Sequence, residues 1–564
     1  MPLTLQGGNG NIIGGLLGGL GQGNVISGNG KAGVSLGAGA ANHAVFGNLI
    51  GTDASGMLAL GNTFAGITLS GASGNMIGTT LGTGRNVLAG NLQDGIFLTN
   101  AVGNTVAANY IGTDITGAKA LPNQFNGISL NKANANTIGV PSIQAGNVLS
   151  GNAYYGVELF GGSTGNSLQD NYIGVTANGG GALGNGSAGI LVADAPANTI
   201  GGSAAATGNV ISANGDAGIY IVGPGAAGNL LQGNKLGTDL TGNSARGNAL
   251  EGIYIETSPS NTIGGPLPGA GNLISGNGTR GIFLTNAGWS VIQGNLIGTK
   301  ADALSALPNT FHNLECEAGV TNTTIGGPGA AANVIAFAPS GFAGVRIRNG
   351  SFNNRILGNA IFSNGALGID LGPAGVTPND PCDTDSGANL LQNFPVLTQA
   401  VSGGATGTRG TLNSAPNTAF LLQFFANPVC NSSGYGEGRI YLGDANAMTD
   451  GTCNASFLAR LPVPVPPGYA ITATATDPAG NTSEFSACQS AAPVPLLAIT
   501  PGSNHQASFS WTNTAAGFVL KQAASLAPPV QWATVTNLPV TTNGHFTVTL
   551  PIGATNEFFR LSFE

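Results

Sequence analysis

The chain has 564 residues, of which 95 are glycine and only 7% are charged. Its net charge of −8, without any run of Lys or Arg, argues against nucleic acid as a partner, because phosphates require a basic surface. A hydrophobic content of 42% is enough to build a core and excludes a disordered linker, and the glycines lack the Gly-X-Y period of collagen.

No part of the sequence predicts a transmembrane segment, because no stretch approaches the roughly eighteen apolar residues that cross a bilayer. The first residues, MPLTLQGGNG, also lack the basic and apolar regions of a signal peptide. Because later features indicate an exported protein, we interpret the given start as that of a truncated or differently started gene model.

A four-residue pattern of the type GITL recurs along the first 350 or so residues. Up to residue 281 its glycines stand alternately 29 and 32 to 34 residues apart, so the repeating unit has about thirty residues. Each unit holds three short apolar runs separated by Gly/Asn turns, and no run has helical spacing. A fixed period of this kind predicts a solenoid, here an all-β one of about twelve coils. The glycines are Gly33, Gly66, Gly95, Gly127, Gly156, Gly189, Gly218, Gly252, Gly281 and Gly344.

Asparagines recur at the same turn of successive units. Stacked asparagines can exchange hydrogen bonds along a solenoid and tolerate left-handed turns, so the series predicts a structural ladder rather than a ligand-binding surface. The first series is Asn24, Asn48, Asn86, Asn109, Asn147, Asn171, Asn209, Asn234, Asn272, Asn295, Asn333 and Asn359. A second, less regular series includes Asn75, Asn104, Asn136, Asn166, Asn198, Asn229 and Asn261.

A sixteen-residue stretch, GNLIGTDASGMLALGN in its first copy, starts at residues 47, 108, 170, 233 and 294. It occurs in alternate units and therefore predicts a loop that leaves one side of the solenoid at every second coil. Asp53, Asp114 and Asp239 share one position of this loop, but Thr176 and Lys300 replace them in the other copies. A repeated metal ligand is therefore disfavoured, and a turn-stabilising role for the aspartates is favoured.

The units GNxIGTD, NTIGG and GNVISGN resemble those of the right-handed parallel β-helix repeat proteins of bacterial surfaces and secretions. The resemblance covers residues 1 to about 395 and implies that fold on a secreted or cell-surface protein. Pectate lyases and polygalacturonases are related in fold, but fold alone does not determine activity. The chain lacks the adjacent Asp-Asp pair of polygalacturonases and the acidic calcium cluster of pectate lyases.

The sequence pattern changes after the repeats. Residues 396–490 contain short alternating strands with turns every eight to twelve residues, which predicts an immunoglobulin-like β-sandwich. A proline-bearing linker, AAPVPL, then leads to residues 491–564, for which we expect a small C-terminal β domain.

The middle residue of each GI strand is expected to point outward, because side chains alternate along a strand. A solenoid presents such residues as one continuous face, and here aromatic and then charged residues gather in the later coils. The column reads Thr4, Ser35, Thr68, Phe97, Ser129, Glu158, Leu191, Tyr220, Tyr254, Phe283, Glu315, Arg346 and Asp370.

Two functions and one packing role compete for this face. The first function is carbohydrate binding, in which aromatic rings stack on sugars; its candidates are Phe97, Tyr220, Tyr254 and Phe283. The second is acid–base chemistry on a glycosidic bond, which needs two carboxyl groups about 5 to 9.5 Å apart; the catalytic candidates are Glu256, Glu315, Glu317, Arg346, Arg348 and Asp370. The alternative is that stacked rings and opposite charges only stabilise the sheet.

The linker TPNDPCDTDSGANLLQNFPVL gathers acidic and amide side chains between the two predicted domains. Asp380, Asp383, Asp385 and Asn389 offer the hard oxygen ligands that calcium prefers, on a glycine-containing loop. The spacing departs from an EF-hand loop, and an ordinary solvated turn is the alternative.

The five cysteines include no CxxC pair, so a zinc ribbon is excluded. Cys430 and Cys488 end two strands of the predicted sandwich and are expected to pair, which implies an oxidising compartment. Spacing does not decide whether Cys382 and Cys453 pair or remain free. Cys316 stands at an inward position of a GI strand and predicts a buried free thiol.

Together these features predict an extracellular structural or adhesive protein that binds carbohydrate or a cell-surface partner. The alternative is a polysaccharide lyase, glycoside hydrolase or epimerase that acts on the exposed face of the solenoid. Calcium is the one cofactor indicated. Because a solenoid end exposes unpaired strand edges, end-to-end or side-by-side self-association is a further expectation.

Overall fold

The computed structural model describes residues 3–15, 23–80, 84–141, 146–513, 517–553 and 556–564. Within these residues three parallel sheets, of 13, 12 and 12 strands, wind around one axis and form a parallel β-helix. Each coil contributes one short strand to each sheet, so the predicted all-β solenoid is confirmed. At about 4.8 Å per coil, the rod is roughly 58 Å long.

Strands β1 to β37 of the rod alternate between the three sheets in strict order. Sheet A contains β1 (Leu3–Leu5), β4 (Val34–Leu36), β7 (Ile67–Ser70), β10 (Ile96–Thr99), β13 (Ile128–Asn131), β16 (Val157–Phe160), β19 (Ile190–Ala193), β22 (Ile219–Val222), β25 (Ile253–Glu256), β28 (Ile282–Thr285), β31 (Leu314–Cys316), β34 (Val345–Ile347) and β37 (Ile369–Leu371). Sheet B contains β2 (Ile12–Gly14), β5 (Ala44–Phe46), β8 (Met76–Gly78), β11 (Thr105–Ala107), β14 (Thr137–Ile138), β17 (Ser167–Leu168), β20 (Thr199–Gly201), β23 (Leu230–Gln232), β26 (Thr262–Gly264), β29 (Val291–Gln293), β32 (Thr324–Gly326) and β35 (Arg355–Leu357). Sheet C contains β3 (Val25–Ile26), β6 (Leu49–Ile50), β9 (Val87–Leu88), β12 (Tyr110–Ile111), β15 (Val148–Leu149), β18 (Tyr172–Ile173), β21 (Val210–Ile211), β24 (Lys235–Leu236), β27 (Leu273–Ile274), β30 (Leu296–Ile297), β33 (Val334–Ala336) and β36 (Ala360–Phe362).

The apolar positions of all three sheets meet in one continuous core. In β7, Ile67 and Leu69 are fully buried and Thr68 between them points outward. Because side chains alternate along a strand, every GI pattern places its two aliphatic residues inside the rod. Cys316 takes one of these inward places and is a buried free cysteine, as predicted.

Asparagine ladders run along the rod beside the core. Both predicted series are hydrogen-bonded from coil to coil, for example from Asn109 Nδ2 to Asn147 Oδ1 (3.0 Å) and from Asn104 Nδ2 to Asn136 Oδ1 (3.0 Å). The structure adds a third ladder, which the sequence analysis missed. It consists of Asn29, Asn62, Asn91, Asn123, Asn152, Asn185, Asn214, Asn248, Asn277 and Asn309.

The repeated sixteen-residue stretches leave the rod beside sheet C as loops, each closed by an antiparallel bridge such as Thr113 to Ala120. Successive loops also bond to each other: Ala177 N donates to Gly117 O (2.9 Å), and this contact recurs in the other copies. The loops therefore form a wall along the rod. Inside the first loop, Asp53 accepts backbone hydrogen bonds from residues 57 and 58, which is the turn-stabilising role predicted.

A mixed β unit follows the rod and covers its last coil. Its strands are β38 (Val396–Ser402), β39 (Thr406–Asn413), β40 (Ala419–Asn427), β41 (Ile440–Met448), β42 (Asn454–Leu461), β43 (Ala470–Thr476) and β44 (Gln489–Pro493), in the order β41-β40-β43-β44-β38-β39-β42. Phe424 of β40 and Phe457 of β42 are not on paired strands, yet their ring centroids lie 5.8 Å apart, so the sheet folds over onto its own core. Phe425 and Phe485 join the rod core instead and close its end.

The chain ends in two small antiparallel sheets. One contains β45 (Ala498–Pro501), β46 (Gln506–Thr512), β49 (Val540–Thr542) and β50 (His545–Pro551), and the other contains β47 (Phe518–Ala523), β48 (Ala533–Thr534) and β51 (Phe558–Phe563). The only helical elements in the described ranges are the 3-10 turns Gly329–Ala331 and Ala388–Leu391. No helix in the part of the chain that the structure covers is long and apolar enough to cross a membrane.

Two disulfides lie in and beside the mixed β unit. Cys430 is joined to Cys488, the pairing expected from the sequence, and Cys382 is joined to Cys453, which the sequence left open. The second bond ties the acidic linker to the β unit.

Candidate functional site

The outward residues of sheet A stand in the single column that the sequence predicts, because every neighbouring pair of strands is in register. The column is not freely exposed, however. Residues just before each GI glycine form a wall along one side, and several are large or charged, whereas other coils have alanine there. The larger wall residues are Asp94, Asn126, Tyr155, Glu251, Arg280 and His312.

A groove of about 640 Å³ opens at the first coils of this column. We call it the hydroxyl groove, because hydroxyl groups make up much of its lining. Phe64 and Phe97 meet edge to face with their centroids 6.2 Å apart, and Phe64 is 42% exposed. Of the predicted ligand-binding residues, Phe97 therefore lies in a groove. The hydroxyls belong to Thr4, Ser35, Thr63, Thr68, Ser70 and Thr99.

A pair of carboxyl groups lies immediately beyond the hydroxyl groove. Ser129 Oγ donates to Asp94 Oδ1 (2.8 Å), and Asn126 Nδ2 donates to Glu158 Oε2 (2.7 Å) and to Ser129 Oγ (3.0 Å). The lengths of these three bonds limit the distance between Asp94 Oδ1 and Glu158 Oε2 to at most about 8.5 Å. Burial raises the pKa of Asp94, and burial followed by the charge of Asp94 raises the pKa of Glu158.

Asp94 was not predicted from the sequence, and Glu158 was placed in the outward column but not among the catalytic candidates. The position before the GI glycine could have indicated this pair. It is Ala65 in one coil and becomes Asp94 and Asn126 in the next two coils. These wall residues reach over the neighbouring coil, so the outward column alone does not define the chemistry of the face.

The predicted aromatic residues of the later coils form a closed stack. The rings of Tyr220 and Tyr254 are parallel, with centroids 4.8 Å apart, and Phe283 stacks on Tyr254 at 5.2 Å. The guanidinium of Arg280 lies 4.2 Å over the ring of Phe283. Ring faces in this stack thus contact one another, so stacking on a sugar through the faces of Tyr254 and Phe283 is disfavoured. The hydroxyl of Tyr220 donates to Glu256.

Three of the six predicted catalytic residues, Glu315, Glu317 and Arg348, form an ion-pair network around one buried carboxylate. Glu315 is fully buried and pairs with both Arg280 and Arg348. Burial opposes its ionisation, but the hydrogen bonds from these two arginines outweigh burial and lower the pKa of Glu315. Glu317 lies 3.4 Å from Arg348 Nε.

The remaining two candidates form a second buried pair. Arg346 pairs with Asp370 and also donates to the carbonyl of Gly372. Burial raises the pKa of Asp370 even though Arg346 opposes that shift. These ion pairs favour the packing alternative, because each charge is balanced by an opposite charge within the protein.

The acidic linker brings three of its four predicted ligands together. One carboxylate oxygen from each of Asp380, Asp383 and Asp385 lies within 4.8 Å of the others. Asp380 Oδ1 and Asp385 Oδ1 are buried atoms without a hydrogen-bond partner among the described residues. The side chain of Asn389 has protein partners instead: its Oδ1 accepts from Asn354 N (3.1 Å), and its Nδ2 donates to the carbonyls of Asn354 and Thr482.

No protein-family model matches this chain, and no curated protein matches it. Among solved structures it is similar to tailspike protein 2 of the Escherichia coli bacteriophage CAB120, at 12% identity and a TM-score of 0.30 over 86% of this chain and 63% of that one. It is also similar to the A-module of a mannuronan C-5 epimerase from Azotobacter vinelandii, at 15% identity and a TM-score of 0.25 over 67% of this chain and 91% of that one. A periplasmic alginate epimerase gives 11% identity and a TM-score of 0.28, over 61% of this chain and 71% of that one. The chain thus spans less than two thirds of the tailspike, and similarity this low carries no argument about activity.

Proposed function

We propose that this protein is an exported structural or adhesive rod that binds a polysaccharide along the outward face of sheet A. The observation that carries the proposal is the hydroxyl groove, in which Phe64 and Phe97 stand among six hydroxyl side chains. Sugars present apolar C–H faces beside hydroxyls, so a groove with exposed ring surface and many hydrogen-bonding groups suits them. Among the residues that the structure describes, Lys31 is the one charged residue in the lining of the groove. The two disulfides support export, because disulfides persist in oxidising compartments.

Retention on immobilised neutral and acidic polysaccharides tests this binding. We expect Phe64→Ala to weaken retention at least about tenfold, because it removes the exposed ring that a sugar would cover. Phe352→Ala is the matched control, since Phe352 is 41% exposed but lies outside the groove. Equal retention of both variants, or no retention of the wild-type protein on any polysaccharide, would contradict the proposal.

Glycosidic-bond cleavage is the second candidate function, and the pair of Asp94 and Glu158 favours it. The two oxygens lie no more than about 8.5 Å apart, which is inside the upper limit for the paired carboxyl groups of glycosidases, about 5 to 9.5 Å. A carboxyl group with a raised pKa is also suited to hold the proton that a leaving sugar oxygen needs. The bridge through Asn126 and Ser129 fixes both groups against the groove wall.

New reducing ends released from a panel of polysaccharides measure this activity. Asp94→Asn and Glu158→Gln are each expected to lower the rate at least about 100-fold. Asp302→Asn, in an exposed loop, is the control and should leave the rate unchanged. Retention without turnover on every polysaccharide would remove cleavage and leave the binding function standing.

Calcium binding at the acidic linker is a third element of the proposal. Asp380, Asp383 and Asp385 supply three carboxylates, and two of their buried oxygens lack protein partners, which suits a hard cation. Excess calcium should raise the melting temperature of the wild-type protein, because a ligand that binds only the folded state stabilises it. An Asp380→Asn, Asp385→Asn double variant should lose that increase, and an equal increase in both proteins would contradict the site.

A further inference from the structure

A second groove, of about 690 Å³, runs along the outward face of sheet C. Its floor is the column Tyr110, Val148, Tyr172, Val210 and Lys235, in which every neighbouring pair is in register. One wall is formed by the repeated loops at Ala177 and Leu240, and the opposite wall by small residues between 202 and 208. We call it the tyrosine groove. It lies on a different sheet from the hydroxyl groove and does not depend on it.

The floor alternates between long and short side chains. Tyr110, Tyr172 and Lys235 come from the coils that carry the repeated loop, whereas Val148 and Val210 come from the coils between them. The two tyrosines are therefore two coils apart, about 9.6 Å along the rod, with a buried valine at the bottom of the gap. This arrangement is unlike the stack of Tyr220 and Tyr254, whose rings are on adjacent coils and cover each other.

The backbone spacing of about 9.6 Å between the two tyrosines indicates what kind of ring would fit between them. Atoms in van der Waals contact with a ring lie about 3.5 to 4.0 Å from it. At this spacing, a ligand that contacts both rings has atom centres that span a thickness of roughly 2 Å. A puckered sugar ring with its axial substituents occupies that thickness, whereas a flat aromatic ring would contact only one side. On its other side, Tyr110 is already covered by the guanidinium of Arg85, 4.1 Å from the ring centroid.

The charges in the groove favour an anionic sugar. Lys235 is half-buried, and burial lowers its pKa although the charge of Asp239 opposes that shift. Among the described residues none forms a salt bridge with Lys235 within 4.0 Å. An anion bound in the groove would compensate this partly desolvated charge. Of the charged residues that line the groove, two are cations, Arg85 and Lys235, and one is an acid, Asp170.

We propose that the tyrosine groove is a second saccharide site, which holds one sugar unit of an acidic glycan between Tyr110 and Tyr172 and places its carboxylate near Lys235. The glycan chain would then run parallel to the rod, since the groove is bounded on both sides and follows the column. The repeated loops acquire a function in this arrangement, because they form one wall of the site.

Calorimetric binding of a galacturonate hexamer to the full chain, with the methyl ester of the same hexamer as the uncharged control, tests the proposal. We expect the acid to bind at least about tenfold more tightly than the ester. Lys235→Met retains most of the aliphatic stem and should abolish that preference, whereas Tyr172→Ala should weaken both ligands. Lys119→Met and Tyr154→Ala, at exposed positions outside the groove, should change neither affinity.

The preference for the acid over the ester also distinguishes the tyrosine groove from the hydroxyl groove. Phe64→Ala in the hydroxyl groove should leave the preference for the acid intact, so failure of the first proposal does not imply failure of this one. The proposal is overturned if acid and ester bind equally to the wild-type protein, if neither binds, or if Lys235→Met preserves the preference. Dimerisation that Tyr172→Ala abolishes, without hexamer binding, would instead identify a second copy as the occupant and would also overturn it.

Discussion

Asn123 Nδ2 donates a 3.0 Å hydrogen bond to Asn152 Oδ1 on the next coil, and its own Oδ1 accepts from Asn91 Nδ2 at 2.9 Å. The same Nδ2 also donates to the carbonyl of Leu88. Asn123 thus satisfies a carbonyl on one coil while it bonds to its two ladder neighbours. The ladder stabilises the turn that precedes each strand of sheet A. It thereby positions the wall residues beside the hydroxyl groove and the carboxyl pair.

Asn123→Ala is expected to lower the free energy of unfolding by about 3 kcal/mol, because it leaves several buried donors and acceptors without partners. Chemical denaturation followed by far-UV circular dichroism measures the loss. Asn243→Ala, at an exposed position of a repeated loop, is the control and should change stability by less than about 0.5 kcal/mol. Similar losses for both variants would show that the ladder contributes no special stability.

The regular parts of the rod could be predicted because a solenoid repeats its local chemistry. Each GI pattern fixes one inward pair and one outward residue, so the column from Thr4 to Asp370 follows from period-two alternation alone. The third ladder was missed because its asparagines sit at turns whose neighbours vary, as in Asn91 and Asn123, although their spacing also repeats.

The candidate sites were harder to predict, because they depend on groups that reach between coils. Asp94 belongs to the turn before one strand, yet its carboxylate accepts from Ser129 on the next. The choice between binding and packing for Tyr220 and Tyr254 stayed open for the related reason that an outward position does not specify which ring surface stays free. Distances between side chains of adjacent coils, rather than residue type, decide between packing and binding on such a face.

Arg280→Met should destabilise the protein by about 3 kcal/mol, because Glu315 is fully buried and would lose one of its two arginine partners. The loss should change little with salt, since a buried pair is poorly screened. Thermal unfolding at low and high ionic strength measures both effects. Lys119→Met, which removes an exposed cation, provides the comparison. A loss that disappears at high salt would show that the network behaves as surface charge.

Loss of the bond between Cys382 and Cys453 should destabilise the mixed β unit by about 4 kcal/mol, because the bond closes a loop with a sequence separation of 71. A Cys382→Ala, Cys453→Ala double variant should therefore melt at a lower temperature than the wild-type protein. Calorimetry in the absence of reductant measures this difference. Cys316→Ala removes a thiol that forms no disulfide and serves as the comparison, since its effect is limited to a small cavity in the rod core. Equal melting of the double variant and wild type would contradict the prediction.

Glu484 makes the junction between the rod and the mixed β unit sensitive to pH. Its carboxylate is buried and accepts hydrogen bonds from the backbone N–H groups of Leu371 (2.9 Å) and Thr377 (3.0 Å). Burial raises the pKa of Glu484 from 4.5 to about 7 and outweighs these hydrogen bonds. The folded protein therefore binds more protons than the unfolded chain between these two values, so this group's contribution to stability falls as pH rises through that window.

The expected change from Glu484 is on the order of 3 kcal/mol between pH 4.5 and pH 8, with greater stability at the acidic end. His312 acts in the opposite sense, because burial lowers its pKa to about 4 and acid then favours unfolding. The useful measurement is therefore the difference in unfolding free energy between the wild-type protein and Glu484→Gln at each pH, in which the effect of His312 cancels. Glutamine does not titrate, so the stability of the wild type relative to the variant should decline steadily toward pH 8. A difference that stays constant across the window would mean that Glu484 is ionised in the folded protein throughout.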